Sequence, residues 1–285
     1  WCRFNQTAVV AAWVSESEVS CISPEHDGGV VAVELTQNEQ QYTGDGVSFE
    51  YEHVVAHSIY PNSGPSQGGT LVEVRGGNME VPDGRGLFCQ FGGAEAVAAT
   101  HASRELVRCV APASVSGLPG VVPVRVLNND AVYTSVVAFT YRTPAGVERI
   151  HPVAGARGGG TLVTVYGTGF VESVSTRCRF GDTAVAARLL VAGQLECMSP
   201  RPSTSGYALL EVTMNEQDYS SDGTLFEFQP EVAVLAVEPS RGPLDGGTFV
   251  NVTGSGFSHR AALLGYLWCR FNQTAVVAAW VSESE

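Results

Sequence analysis

Ile59 to Gly76 reads IYPNSGPSQGGTLVEVRG, and the pattern returns as IHPVAGARGGGTLVTVYG over 150–167 and as VEPSRGPLDGGTFVNVTG over 237–254. In each copy two valines stand two apart, Val72/Val74, Val163/Val165 and Val250/Val252, which puts both on one face of a β-strand. The glycine pair just before that strand suits a tight turn or bulge that needs positive φ. Further out, CQFG at 89–92 is matched by CRFG at 178–181 and CRFN at 2–5, and CVAP at 109–112 by CMSP at 197–200 and CISP at 21–24. Every unit closes on an aromatic pair: Phe49/Tyr51, Phe139/Tyr141 and Phe226/Phe228.

The motif prolines Pro61, Pro152 and Pro239 lie 91 and 87 residues apart, so the units are of nearly equal size. Residues 122–127, 209–214 and 30–35 read as later strands, and no stretch carries a helical period. Units of about 90 residues with seven or so short strands predict an all-β chain of tandem immunoglobulin-like sandwiches. The expected organisation is the C-terminal half of a domain over 1–53, domains over 54–143 and 144–230, and the N-terminal half of a domain over 231–285. Residues 1–18 also recur letter for letter as 268–285, an offset of 267. That identity predicts one period, plus an overlap, of something that repeats three units at a time; the alternative is an overlap with no meaning in the molecule.

These motifs, recurring in order, resemble those of the IPT/TIG family, the immunoglobulin-like modules of plexins, fibrocystin-type surface proteins and Rel transcription factors. The family pattern I-x-P-x-x-G-P-x-x-G-G-T-x-V-x-V-x-G-x-x-F, then C-x-F-G, then C-x-x-P, is met almost throughout. GTGF at 167–170 and GSGF at 254–257 keep its ending, whereas GGNM at 76–79 departs from it. The resemblance implies the sandwich fold, and modules that act as spacers or ligand surfaces.

Six of the seven cysteines fall in matched pairs, Cys2/Cys21, Cys89/Cys109 and Cys178/Cys197, 19, 20 and 19 residues apart. One intradomain disulfide per unit is the expectation. Metal binding is the rival, but no two cysteines have C-x-x-C spacing and no histidine recurs with them. Cys269 is the copy of Cys2, and the position equivalent to Cys21 falls beyond Glu285, so it is expected to be unpaired. Disulfides place the chain in an oxidising, extracellular or cell-surface setting and weigh against a Rel-like nuclear role. Sequons at Asn5, Asn251 and Asn272 predict N-linked glycans. Asn251 stands at an outward strand position, and Asn5 replaces Gly92 and Gly181 at a turn where asparagine is the next best residue for positive φ. Ser203-Thr204-Ser205 is a turn that could carry O-linked sugar.

The chain is acidic, net −13 over 285 residues, which argues against nucleic-acid partners. All its basic residues are arginine, which excludes lysine isopeptide links, Schiff bases and a P-loop lysine. No apolar run approaches the roughly 18 residues of a membrane helix; 261–268 is too short. No catalytic residue, cofactor or metal site is expected. Gly64-Pro-Ser-Gln-Gly68 matches a nucleophile elbow, but Ser66 is replaced by Arg157 and Leu244 in the sibling units, so the loop reads as turn geometry. The histidines at 26, 53, 57, 101, 151 and 259 are scattered. Asp45-Gly46 and Asp222-Gly223 read as ordinary turn chemistry ahead of a Ca²⁺ site. Trp13 reads as core. The leading functional expectation is a structural segment of a glycosylated extracellular filament, its partners copies of itself joined head to tail or a covalent continuation of the repeat. The alternative is a set of spacer or ligand-binding modules in a receptor or adhesion ectodomain; an accessory module of a polysaccharide-processing enzyme is a third, weaker reading.

Overall fold

A computed structural model describes residues 1–51, 54–79, 86–128, 131–132, 136–202 and 206–285. His53, the side chain of His101, and Ser203-Thr204-Ser205 lie outside the described residues. The chain divides into two compact units. One comprises Trp1–Asn62, Leu71–Val110 and Val122–Phe139; the other comprises Ser63–Thr70, Ala111–Val121 and Thr140–Glu285.

Within the second unit, residues 146–229 form a closed sandwich. Gly146–His151, Leu162–Thr168 and Gln194–Met198 pair antiparallel in that order. Arg177–Phe180, Gly206–Thr213 and Leu225–Gln229 make the opposing sheet, to which Ala154–Ala156 adds in parallel. Thr183–Val191 pairs with Arg177–Phe180 through its first half and with Gln194–Met198 through its second, tying the two sheets together. Alternation drives the layering: Val163 and Val165 point into a core with Leu195, Leu210, Val212 and Phe226, all essentially inaccessible to water. Each such side chain stabilises the fold by about 2 kcal/mol relative to exposure. Phe180 and Phe226 meet edge to face at 5.2 Å, the arrangement their quadrupoles favour.

The first unit repeats this logic. Val55–Tyr60, Leu71–Gly77, Leu106–Val110 and Thr100–Ser103 form one sheet. Leu87–Phe91 lies between Val97–Ala98 and Gly120–Asn128 in the other. Where the sibling domain has one strand linking both sheets, here two short strands do so, interrupted at Ala99.

The glycine pair has a double role. Gly68 and Gly159 both sit at φ 80°. A Cβ at Gly68 would lie 2.6 Å from the Ala113 nitrogen, and one at Gly159 would lie 2.8 Å from the Arg201 nitrogen. The turn therefore packs on the backbone just after C-x-x-P, and Gly69 and Gly160 donate to Ala111 O and Ser199 O at 2.9 and 2.8 Å. The two recurring motifs are halves of one contact.

Residues 1–51 carry the later strands of such a sandwich: Cys2–Phe4 between Thr7–Val9 and Gly29–Leu35, then Ser48–Tyr51, with Ala11–Ser15 and Glu18–Cys21 as a separate hairpin. Residues 231–285 carry the early ones: Ala233–Glu238 with Asn251–Ser255, and Trp268–Phe271 with Thr274–Val277. Two sequence expectations need correcting. Trp13 is 74% exposed, because its hairpin meets only itself and the strands that would cover it are not part of 1–51. A single helical turn, His259–Leu263, also forms where no helical period was read; Ser258 caps it by accepting from the Ala261 N–H at 3.2 Å.

Candidate functional site

The disulfides join Cys2 to Cys21, Cys89 to Cys109 and Cys178 to Cys197, with Cα atoms 6.4, 6.2 and 6.3 Å apart. Cys269 is free. Asn5 and Asn272 lie exposed at φ 54° and 55°, beside 59° for both Gly92 and Gly181, so one turn geometry serves all four positions. The Asn5 amide is 3.5 Å from His26 Nε2, whose ring stacks on Tyr51 at 4.9 Å. Asn251 opens its strand and is exposed.

The most organised polar cluster in the second unit is a turn that sequence reading passed over. Thr213-x-Asn215-Glu216-Gln217 repeats Thr36-x-Asn38-Glu39-Gln40, and both turns put their glutamate at φ 62°. In both, the asparagine Oδ1 gathers two backbone N–H groups and a threonine hydroxyl. The repeat of T-x-N-E-Q was the available signal. Asn38 is exposed, whereas Asn215 is buried, because its Nδ2 donates to Ser63 O at 2.9 Å and to Asp218 Oδ2 at 2.6 Å. Asp218 Oδ2 also accepts from the Thr70 hydroxyl at 2.7 Å. Gln41 stands where Asp218 does in the exposed copy. Asp222 Oδ2 accepts from the Val147 N–H at 2.7 Å, which gives the Asp-Gly turn a structural use. Around this cluster lies a cleft of about 330 Å³, lined by Ser63, Arg142, Pro144, Asn215, Asp218 and Asp222.

Ser66 is buried, its N–H donates to Arg142 O at 2.8 Å, and the chain beyond it enters the strand Leu71–Gly77, where a nucleophile elbow would need a helix. Tyr141 donates to Pro112 O at 2.7 Å, and burial raises its pKa. Hydrogen bonds from Arg108 and then Arg75 lower the pKa of Glu73, the polar residue between Val72 and Val74. Among the described residues, no group of three or more His, Cys, Asp or Glu could hold a metal ion. Among the same residues, no helix is long and apolar enough to cross a membrane.

Disulfide-bonded β-sandwiches in tandem define a modular immunoglobulin-like protein. The IPT/TIG domain model matches residues 2–51, 55–141 and 145–228, and the chain belongs to that family. It is similar to mouse plexin-B2, 28% identical over 215 residues, covering 74% of this chain and 12% of that protein. It is also similar to mouse fibrocystin-L, 29% identical over 254 residues, covering 86% of this chain and 6% of that protein. The chain thus spans a small part of these relatives' length. Among solved structures, the extracellular region of plexin A4 aligns at a TM-score of 0.49 and 15% identity, covering 89% of this chain and 22% of that one.

Proposed function

We propose that this chain is a stretch of the ectodomain of a cell-surface protein, in which tandem IPT/TIG modules act as a stiff, non-catalytic spacer that presents ligand surfaces. The observation that carries this reading is the buried junction, Asn215 on Ser63 O with Asp218 on Thr70, in a disulfide-bonded chain related to plexins and fibrocystin-L. Hydrogen bonds through a buried amide hold a junction in one geometry, because breaking one leaves an unsatisfied polar group. Exposed sequons at Asn5, Asn251 and Asn272 fit a glycosylated, extracellular surface. The relatives favour this reading over the repeating filament expected from the identical ends.

Antibody against residues 54–230 should stain intact, unpermeabilised source cells, and enzymatic removal of N-glycans should lower the mass of the reduced chain. Staining that appears only after permeabilisation would overturn the reading. The spacer role predicts that replacing Asn215 and Asp218 together by alanine broadens the range of shapes seen in small-angle scattering. An unchanged scattering curve would count against it.

A further inference from the structure

The cleft beside Asn215 lies wholly within the second unit, and it holds a cation whose donors meet no acceptor. Arg142 ends the strand Val137–Arg142, whose last three residues run parallel to Ser63–Pro65. Its carbonyl accepts from the Ser66 N–H at 2.8 Å, so the backbone there is well held. The half-buried side chain has no ion pair or hydrogen bond among the described residues, and its Nε is covered. Arginines elsewhere meet carboxylates, as Arg179 does on Glu211 and Arg108 on Glu73. An N–H taken from water and given no acceptor is costly, so this one calls for an explanation.

The sibling position shows what is missing. Gln229 follows Phe228 as Arg142 follows Tyr141. Gln229 Nε2 donates to Ser258 Oγ at 3.2 Å and lies 3.5 Å from Glu227 Oε2. At the same places around Arg142 the chain carries Val171 and Thr140. Valine accepts nothing, and threonine offers a hydroxyl in place of a carboxylate.

We propose that this cleft binds a carboxylate-bearing sugar residue of a glycan, with Arg142 taking the carboxylate. A guanidinium meets a carboxylate side-on through two parallel N–H donors, one of them Nε. The side chain turns toward the cleft to do so, and the turn gives the covered N–H its acceptor. The rest of the lining selects the rest of the ligand. Asp218 and Asp222 use Oδ2 for Asn215, Thr70 and the Val147 N–H, and Oδ1 of each is uncommitted among the described residues. Two carboxylates beside one arginine repel a polyanion and favour a ligand with one negative group and several hydroxyl donors. An acidic sugar has that composition. Exposed Thr143 and Ser221 add hydroxyls, and Pro144 offers an apolar ring to the C–H face of a sugar. An acidic peptide fits less well, because peptide docking rests on an apolar anchor pocket and polar side chains dominate this lining. The volume, about 330 Å³, suits a single sugar ring. The inference rests on the ectodomain reading for a setting in which glycans are met.

The test is saturation-transfer NMR on the full chain, with the methyl glycosides of glucuronic acid and N-acetylneuraminic acid as probes. Methyl glucoside, a ring with no carboxylate, and acetate, a carboxylate with no ring, serve as controls. An acidic sugar should receive saturation and the controls should not; transfer to one of the two names the sugar. Arg142→Gln, which installs the sibling residue, should weaken binding about tenfold or more. Arg142→Lys keeps the charge without the fork and should weaken it less. Thermal unfolding of both variants checks that the domains stay folded. No transfer to either acidic sugar at about 10 mM, the weak end of measurable binding, would overturn the proposal. So would binding that Arg142→Gln leaves unchanged, or displacement of the sugar by acetate or an acidic peptide at equal concentration. Each of those failures would leave the staining of intact cells, and with it the ectodomain reading, untouched.

Discussion

Trp1–Glu18 and Trp268–Glu285 are one sequence in two surroundings, and they differ in an instructive way. Both form the same hairpin in the same register, Cys2 opposite Val9 and Cys269 opposite Val276, around an asparagine at positive φ. Everything beyond the hairpin diverges. Beside Gly29–Leu35, Phe4 is 5% exposed and Cys2 is bonded to Cys21; without such a neighbour, Phe271 is 52% exposed and Cys269 is free. The tryptophan reverses this pattern: Trp280 is half-buried, donating to Phe257 O and packing on the His259 ring at 4.5 Å, and Trp13 stands in solvent. Turn and register are local properties of the sequence. Core, disulfide and tryptophan environment belong to whichever strands are adjacent.

Paired substitutions sharpen the contrast, with local opening free energies read by hydrogen exchange. The largest difference is expected for phenylalanine: Phe4→Ala should cost about 4 kcal/mol at Cys2–Phe4, and Phe271→Ala less than about 0.5 kcal/mol at its own hairpin. Next come the cysteines, where Cys2→Ala should cost about 3 kcal/mol by opening a loop of this length and Cys269→Ala should have no effect. The turn should behave oppositely: Asn5→Ala and Asn272→Ala should each cost about 1 kcal/mol, because alanine resists positive φ equally in both places. Unequal costs there would break the claim that the turn is local. The smallest difference is at arginine. Arg3 donates to Glu34 at 2.7 Å and lies 3.9 Å from the Tyr42 ring, so Arg3→Ala should cost about 0.5 kcal/mol. Arg270 has no ion pair among the described residues, and its replacement should be silent.

The same division explains what could be read from the sequence. The inward faces of Val72/Val74 and Val163/Val165 followed from two-residue alternation, and the positive-φ turn followed from asparagine standing in for glycine. Pairing of the G-G and C-x-x-P motifs was visible only as co-recurrence; the contact of Gly68 with Pro112 and Ala113 is what explains it. Trp13 was misread because apolar character says a residue can be buried and says nothing about whether a neighbour is there to bury it. The junction escaped notice for a related reason. Asn38 and Asn215 make the same turn, and only Asp218 in place of Gln41, with the Ser63 carbonyl and Thr70 hydroxyl within reach, turns it into a buried contact.

The most direct test is amide exchange of the two copies in one sample. Peptides that run on to Ile22 or back to Leu264 separate the otherwise identical segments by mass. The account predicts that both hairpin turns exchange alike, while Cys2–Phe4 exchanges far more slowly than its counterpart in Trp268–Phe271. Equal protection of those two strands would contradict it, because burial would then be a property of the segment and owe nothing to its neighbours.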